Sequence, residues 1–222
     1  MDVPVITQDA VRRGAAVYSR PVLAIYDIFV LGFTNTFVWR CPSRYILDFY
    51  DQNVSNKHLD VGVGSGYFLD RCRFPSSAPQ IALLDLNENS LQKTAKRLRR
   101  YHPASYRRSV LEPIELGDSG FGSIGLNYLL HCIPGNMISK RAVFENLKPL
   151  LRDNGVIFGT TILGKGVRRS WLANLYMKIF NSNGVFSNYD DRRDDLEVAL
   201  STTFGRYEVT TRGCIAFFRA WK

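Results

Sequence analysis

The sequence has little cysteine and no arrangement of it that suits a metal. Its four cysteines, Cys41, Cys72, Cys132 and Cys214, form no C-x-x-C pair and no ligand spacing. Such usage points to reduced thiols in a cytoplasmic protein and excludes a disulfide scaffold or a zinc site; no metal is expected. Acidic residues are fewer than basic ones, 20 against 29, which leaves a formal charge of +9. A basic balance allows nucleic-acid or anionic-membrane contact, but here Lys and Arg are spread along the chain, as on an ordinary solvated surface. No apolar run is long enough to span a bilayer: "PVLAIYDIFVLGF" (21–33) is too short and carries Asp27. The first residues, "MDVPVITQDAVRR", lack the basic-then-apolar signal pattern. There is no internal repeat and no low-complexity segment. With 222 residues, 45% hydrophobic and 22% charged, the chain reads as one globular domain.

The first 55 residues read as helical. "TQDAVRRGAAVYS" (7–19) starts on a capping Thr7, "VLAIYDIFVL" (22–31) is apolar all round, and "PSRYILDFYDQN" (42–53) spaces Ile46, Phe49 and Tyr50 as a helix does. Then strands begin to alternate with helices. Strands are expected over 57–63, 80–87, 106–114 and 156–163, a fourth strand followed by a loop over 121–134, and helices over 66–74, 88–102 and 139–155, the last closed by Asn154-Gly155. That alternation implies a parallel sheet covered on both faces, with ligands at the carboxyl ends of the strands. Further on, "RRSWLANLYMKIF" (168–180) puts Trp171, Leu172, Leu175, Tyr176, Ile179 and Phe180 on one helical face. The stretch 189–205 reads as another helix, with acidic residues near its start and Gly205 after it. "RYEVTTRG" and "CIAFFRAWK" alternate like a closing antiparallel hairpin.

The chemistry concentrates in "LDVGVGSGYFLD" (59–70). Gly62, Gly64 and Gly66 follow a buried strand with G-x-G-x-G spacing, not the G-x-G-x-x-G of a dinucleotide loop. No Lys-Ser or Lys-Thr follows, which excludes a P-loop. Asp60 stands at the mouth, where a carboxylate repels phosphate and attracts a cation. Asp85 ends the second strand, where an acidic group accepts two hydrogen bonds from a ribose diol. A nucleoside with a cationic, phosphate-free end meets both demands, and S-adenosylmethionine is one.

At this point "HLDVGVGSGYF", "IALLDLNENSL" and "IGLNYLLHCIPG" resemble the three signature segments of class I S-adenosylmethionine-dependent methyltransferases, and "LKPLLRDNGVIFGTTIL" resembles their fifth helix and strand. The resemblance runs from about residue 57 to the C-terminus. It implies an α/β, Rossmann-like, seven-stranded, mostly parallel sheet with its last strand antiparallel, helices on both faces and an N-terminal helical lid. The chain then divides into a lid or substrate cover (1–55), a cofactor-binding core (56–163), a helical cover (164–205) and a C-terminal hairpin (206–222). The implied cofactor is S-adenosyl-L-methionine, with S-adenosyl-L-homocysteine as product. Residue by residue, the resemblance sets Gly62, Gly64 and Gly66 against its methionine and ribose, Asp60 at the amino end and Asp85 at the ribose. Leu86 packs on the adenine, and Asn127 and Tyr128 line the methyl-donor end. Where many members of the family place Asp after strand three, this chain has Ser109, so adenine contact falls to that hydroxyl or to the backbone of Val110.

His131, in "LLHCIPG" at the rim of the expected pocket, reads either as a catalytic general base for O- or N-methylation or, the favoured alternative, as a packing or loop-stabilising histidine. His58 and His102 carry no expected chemistry. Tyr18 and Tyr26 lie where related enzymes fold a lid over the substrate; the alternative is core packing. The apolar, aromatic stretches 21–39 and 170–180 suit a hydrophobic small molecule kept from water. Methyl transfer to such a molecule, on oxygen, nitrogen or carbon, in specialised metabolism, is the leading reading. An RNA or protein methyltransferase is the second. It is favoured only by the charge and opposed by the lack of an RNA-binding module and by "NYLL" after strand four. A non-methylating descendant that binds a small molecule is the third.

Overall fold

The computed structural model describes residues 27–117 and 119–222. Seven strands form one sheet in the order β3-β2-β1-β4-β5-β7-β6. They are β1 (Lys57–Val61), β2 (Gln80–Asp85), β3 (Ala104–Arg107), β4 (Phe121–Asn127), β5 (Leu151–Ile162), β6 (Arg206–Arg212) and β7 (Ile215–Trp221). Strands β1 to β5 pair in parallel, and β7 enters antiparallel between β5 and β6. The fold class expected from the sequence is the one observed.

Alternation along β1 sets up two cores. Leu59 and Val61 point to one face, where α4 (Met137–Leu147) and α6 (Arg193–Thr203) bury Phe144, Leu147, Leu196 and Leu200. His58 and Asp60 point to the other, which is covered by α1 (Ser43–Asn53), α2 (Tyr67–Arg71), α3 (Glu88–Arg97) and α5 (Trp171–Ser182). The inner strands β1, β2, β4 and β7 and most of β5 thus have both sides buried, as a parallel sheet requires, while the edge strands β3 and β6 stay largely exposed.

Several boundaries differ from the sequence reading. The third strand lies over Ala104–Arg107, before most of the expected 106–114. Its partner β2 ends at Asp85, opposite Arg107, and an edge strand has nothing further to pair with. Beyond it Val110, Leu111 and Ile114 pack on the core from a loop. The helix expected to reach 155 stops at Leu147, one 3-10 turn (Lys148–Leu150) carries Pro149, and β5 already starts at Leu151. The apolar face read on α5 is split. Ala173 and Met177 are buried and Leu172 and Tyr176 half-buried, while Trp171 is 76% exposed and Leu175 and Ile179 stand in solvent beside it. Apolar residues all round this helix misled the face assignment, because only one side meets the sheet.

The segment Asp27–Val38 forms a π-helix, and Trp39 after it packs edge-on against Tyr176 of α5 (6.4 Å between ring centres). The expected helix over 7–19, most of that over 22–31, and Tyr18 and Tyr26 lie outside the described residues. Among the described residues no helix is long and apolar enough to cross a membrane, and no cluster of His, Cys, Asp and Glu has the arrangement of a metal site.

Candidate active site

The chain leaves β1 at Val61 and turns through three residues in the left-handed region: Gly62 (φ 69°), Gly64 (φ 52°) and Gly66 (φ 71°). The turn is closed by the Gly62 N–H donating to the Leu84 carbonyl (2.8 Å) and the Gly66 N–H donating to that of Val63 (2.9 Å). The three glycines have different duties. A Cβ on Gly62 would lie 2.8 Å from Leu129, and one on Gly66 would lie 2.7 Å from Thr94, so these two admit close packing. A Cβ on Gly64 would meet nothing within 4 Å. That glycine keeps a face open.

The turn forms one wall of a cleft of about 1100 Å³, counted to its open mouth. The structure brings Asp60, Gly62, Gly64, Gly66, Asp85, Leu86, Ser109, Val110, Asn127 and Tyr128 together along it. Asp60 is buried and accepts a hydrogen bond from the Tyr50 hydroxyl of α1. Burial and the Asp60 charge push the Tyr50 phenol well above its ordinary range, so it remains a donor. Asp85 accepts the Asn87 N–H (2.8 Å), which aligns it just before α3. Burial raises its pKa to about 6, against the opposing pull of backbone N–H groups from Asn87, Gly64 and Val63. Two carboxylates on one glycine turn make the cleft a seat for positive charge and hydroxyl donors.

Asn127 ends β4. Its Oδ1 accepts from Thr160 (3.1 Å), and its Nδ2 is buried with no hydrogen-bond partner among the described residues. Tyr128 follows with φ 58°, a conformation rare outside glycine. Its hydroxyl donates to Asn35 of the π-helical segment (3.0 Å), whose own amide donates to Ser43 (2.8 Å). Strain of this kind persists only where the surroundings over-determine it. Ser109 is partly engaged, since its Oγ accepts the Leu111 N–H (3.3 Å), and the Val110 carbonyl accepts from Asn146 (2.9 Å).

His131 does not line the cleft. It is buried behind Tyr128 (ring centres 5.6 Å apart) and against Phe186 (4.6 Å). Its Nδ1 accepts the Ile162 N–H (3.4 Å), and burial, then the Lys140 charge, lower its pKa to about 3. A base needs a pKa near the working pH and reach to the proton, and His131 has neither in this geometry. The structure thus places His131, the candidate base of the sequence reading, off the cleft wall and in packing contacts with Tyr128 and Phe186. His131→Leu will therefore lower the thermal midpoint while reducing turnover of the folded fraction less than tenfold; a loss of about 10²–10⁴ at unchanged stability would restore the base.

Sequence reasoning missed Tyr50, Leu129, Cys132 and Asn35 at or behind the cleft walls. Tyr50 had a signal, as a polar-tipped residue on the buried face of a helix. Asn35 had none, for its partner lies 93 positions away.

A family profile described as "Methyltransferase domain" matches residues 59–157. The chain is 40% identical over 208 residues to demethylluteothin O-methyltransferase of Streptomyces thioluteus, covering 94% of this chain and 90% of that one. It is 35% identical to the physcion biosynthesis cluster O-methyltransferase of Aspergillus chevalieri, with 95% of each covered. Among solved structures it is similar to the N-methyltransferase NodS from Bradyrhizobium japonicum in complex with S-adenosyl-l-homocysteine. The TM-score is 0.64 at 11% identity, over 95% of this chain and 98% of that one, a likeness of fold.

Proposed function

The chain belongs to the class I S-adenosylmethionine-dependent methyltransferases of small molecules, and from this premise we propose that it methylates an oxygen of a hydrophobic molecule held above the cleft. The observation that carries the reading is the pair Asp60, just before the glycine turn, and Asp85, at the end of β2 beside it, around a turn whose Gly64 faces open space. These residues fit the cofactor: a cationic amine suits Asp60, a ribose diol suits Asp85, and the unpartnered Asn127 amide offers a donor to a ligand oxygen. When bound, the cofactor supplies an electrophilic methyl group on a sulfonium.

The chain's own residues then position. Tyr50 holds the Asp60 carboxylate, and the loop from β3 offers Ser109, Val110 and Leu111 to the flat face of a base, with Leu86 beside them. Tyr128, fixed through Asn35, walls the donor end together with Cys132, Ile133 and Pro134. The flanking segment 164–205 serves as a cover on the substrate side. Holding donor and acceptor aligned away from water is what an in-line methyl transfer requires. The oxygen acceptor is favoured by the two curated relatives, both named O-methyltransferases.

Incubation with methyl-labelled cofactor and an extract of hydroxylated aromatic metabolites should place label on oxygen in a small apolar product. Label on nitrogen, in RNA or nowhere would overturn the proposal. The glycines give a structural check. Gly66→Ala meets Thr94 and a left-handed φ, and should cost about 1–3 kcal/mol of stability. A Cβ at Gly64 meets nothing within 4 Å but the left-handed φ strains any side chain there, so Gly64→Val should weaken S-adenosylhomocysteine binding by at least about tenfold beside a stability cost of about 1–3 kcal/mol. Equal affinity in calorimetry would take Gly64 out of the cofactor seat.

A further inference from the structure

Apolar side chains crowd one outer flank of the molecule. Trp171, Leu175 and Ile179 recur every fourth residue along α5, and all three are exposed, Trp171 most of all. The half-buried Leu172 and Tyr176 continue the stripe round the helix, and Tyr176 meets Trp39 edge-on. Trp39 follows the π-helical segment, whose Phe37 is 63% exposed with the Phe33 ring 5.1 Å from its own. Two elements in contact thus each leave large apolar side chains in water, which is more than single scattered exposures. The charge around them has one sign. Residues 28–40 and 164–189 hold Arg40, Lys165, Arg168, Arg169 and Lys178 and no carboxylate; the nearest acidic residues in the sequence, Asp27 and Asp190, stand at the ends of these spans. Lys165 pairs with Asp190, and Arg169 donates to Asn174. Arg40, Arg168 and Lys178 are exposed and form no ion pair among the described residues.

We propose that this flank adsorbs to the surface of an anionic lipid membrane, with Trp171, Leu175, Ile179 and Phe37 entering the headgroup layer and Arg40, Arg168 and Lys178 meeting lipid phosphates. Charge decides against a second copy of this chain, because a two-fold contact through the flank sets cations against cations. Size decides against another protein. The stripe runs two turns, about 12 Å at a rise of about 1.5 Å per residue, whereas a stable protein interface takes about 800 Å² from each partner. A bilayer sets no such threshold, since adsorption grows with each apolar group immersed and each cation near the anionic surface. The position also has a use. The π-helical segment that carries Phe37 holds Tyr128, at the donor end of the cleft, through Asn35. An adsorbed enzyme thus stands beside the bilayer in which a hydrophobic acceptor dissolves. That use rests on the reading of a hydrophobic acceptor, whereas the adsorption does not.

Co-sedimentation with vesicles of phosphatidylcholine and about 30% phosphatidylserine tests this. The wild type should pellet with them, leave them as sodium chloride rises from about 0.1 to 0.5 M, and bind pure phosphatidylcholine at least about tenfold more weakly. Trp171→Glu combined with Leu175→Glu, at exposed positions, should keep the thermal midpoint and weaken vesicle binding by at least about tenfold. The vesicles should also shift the wild-type tryptophan emission to the blue. Trp171→Phe, which stays apolar, should lose that shift and still pellet. No binding to anionic vesicles overturns the proposal, and so does binding that the double substitution leaves intact. A dimer in light scattering that the double substitution dissolves assigns the flank to a second copy and overturns it too. Trp171 emission already blue and shielded from acrylamide without vesicles overturns it in favour of another part of this chain. Methyl transfer is a separate readout: a protein that binds vesicles and methylates no hydrophobic acceptor loses the proposed function and keeps this surface.

Discussion

Asp191→Ala will destabilise the fold by about 3–5 kcal/mol, the scale of breaking a buried ion pair by removing one partner. Asp191 and Lys140 are both buried and lie 2.6 Å apart, and the same ammonium donates to the Ser187 carbonyl (2.7 Å). Burial pulls Lys140 down and Asp191 up, each toward its neutral form, and in each case the partner's charge opposes the shift. Removing Asp191 strands an ammonium in an apolar layer beside His131. For a chain of this length the thermal midpoint should fall by roughly 6–20 °C. Lys140→Met together with Asp191→Leu should recover most of the loss, since an apolar pair strands no charge. A single variant within about 1 kcal/mol of wild type in urea unfolding would show that water reaches the pair.

The pair also bears on the site. The Asp191 carbonyl accepts N–H groups from Gly164 and Lys165, Asn188 donates to the Ile162 carbonyl, and the Ser187 N–H donates to the His131 carbonyl. These bonds tie the 184–192 loop to the end of β5 and hold Phe186 on His131, which backs Tyr128. Asp191→Ala leaves these bonds in place and removes only the Lys140 anchor of the loop.

What was legible in the sequence was what local pattern encodes. Apolar runs of strand length followed by helical spacing gave the alternation of strands and helices and hence a parallel sheet, and glycines at alternate positions after β1 gave the turn. Asp60 and Asp85 could be placed because each sits at a fixed offset from a strand end. What was not legible depends on partners distant in sequence. Lys140 and Asp191 are 51 positions apart, and each alone reads as a surface charge. The early end of β3 reflects where β2 stops, a fact held in another segment. His131 sits at a plausible offset after β4, yet the 3-10 turn Leu130–Cys132 and the Phe186 ring bury it. The outward stripe on α5 could not be read either, since periodicity shows that a helix is apolar on both sides but not which side the sheet takes.

Asp85→Ala will weaken S-adenosylhomocysteine binding by about 10–150-fold, corresponding to the 1.5–3 kcal/mol of hydrogen bonds to a charged group. Leu86 and Val110 still enclose the adenine side, so binding should persist at high ligand concentration. The raised pKa adds a pH signature. In the free protein Asp85 protonates below about 6, whereas in an unfolded chain it does so near 3.8. The fold alone thus loses stability as pH rises between those values, because the ionised carboxylate is partly desolvated. A ribose diol donates to the ionised form, so affinity should rise from pH 5 to 7 and level off above, and the ligand should raise the thermal midpoint more at pH 7.5 than at pH 5. Asp85→Asn keeps the shape and removes the titration; it should bind weakly and lose the rise that Asp85 contributes between pH 5 and 7. A wild-type affinity that does not change between pH 5 and 7 would mean that Asp85 does not meet the ribose and that the cofactor lies elsewhere along the cleft.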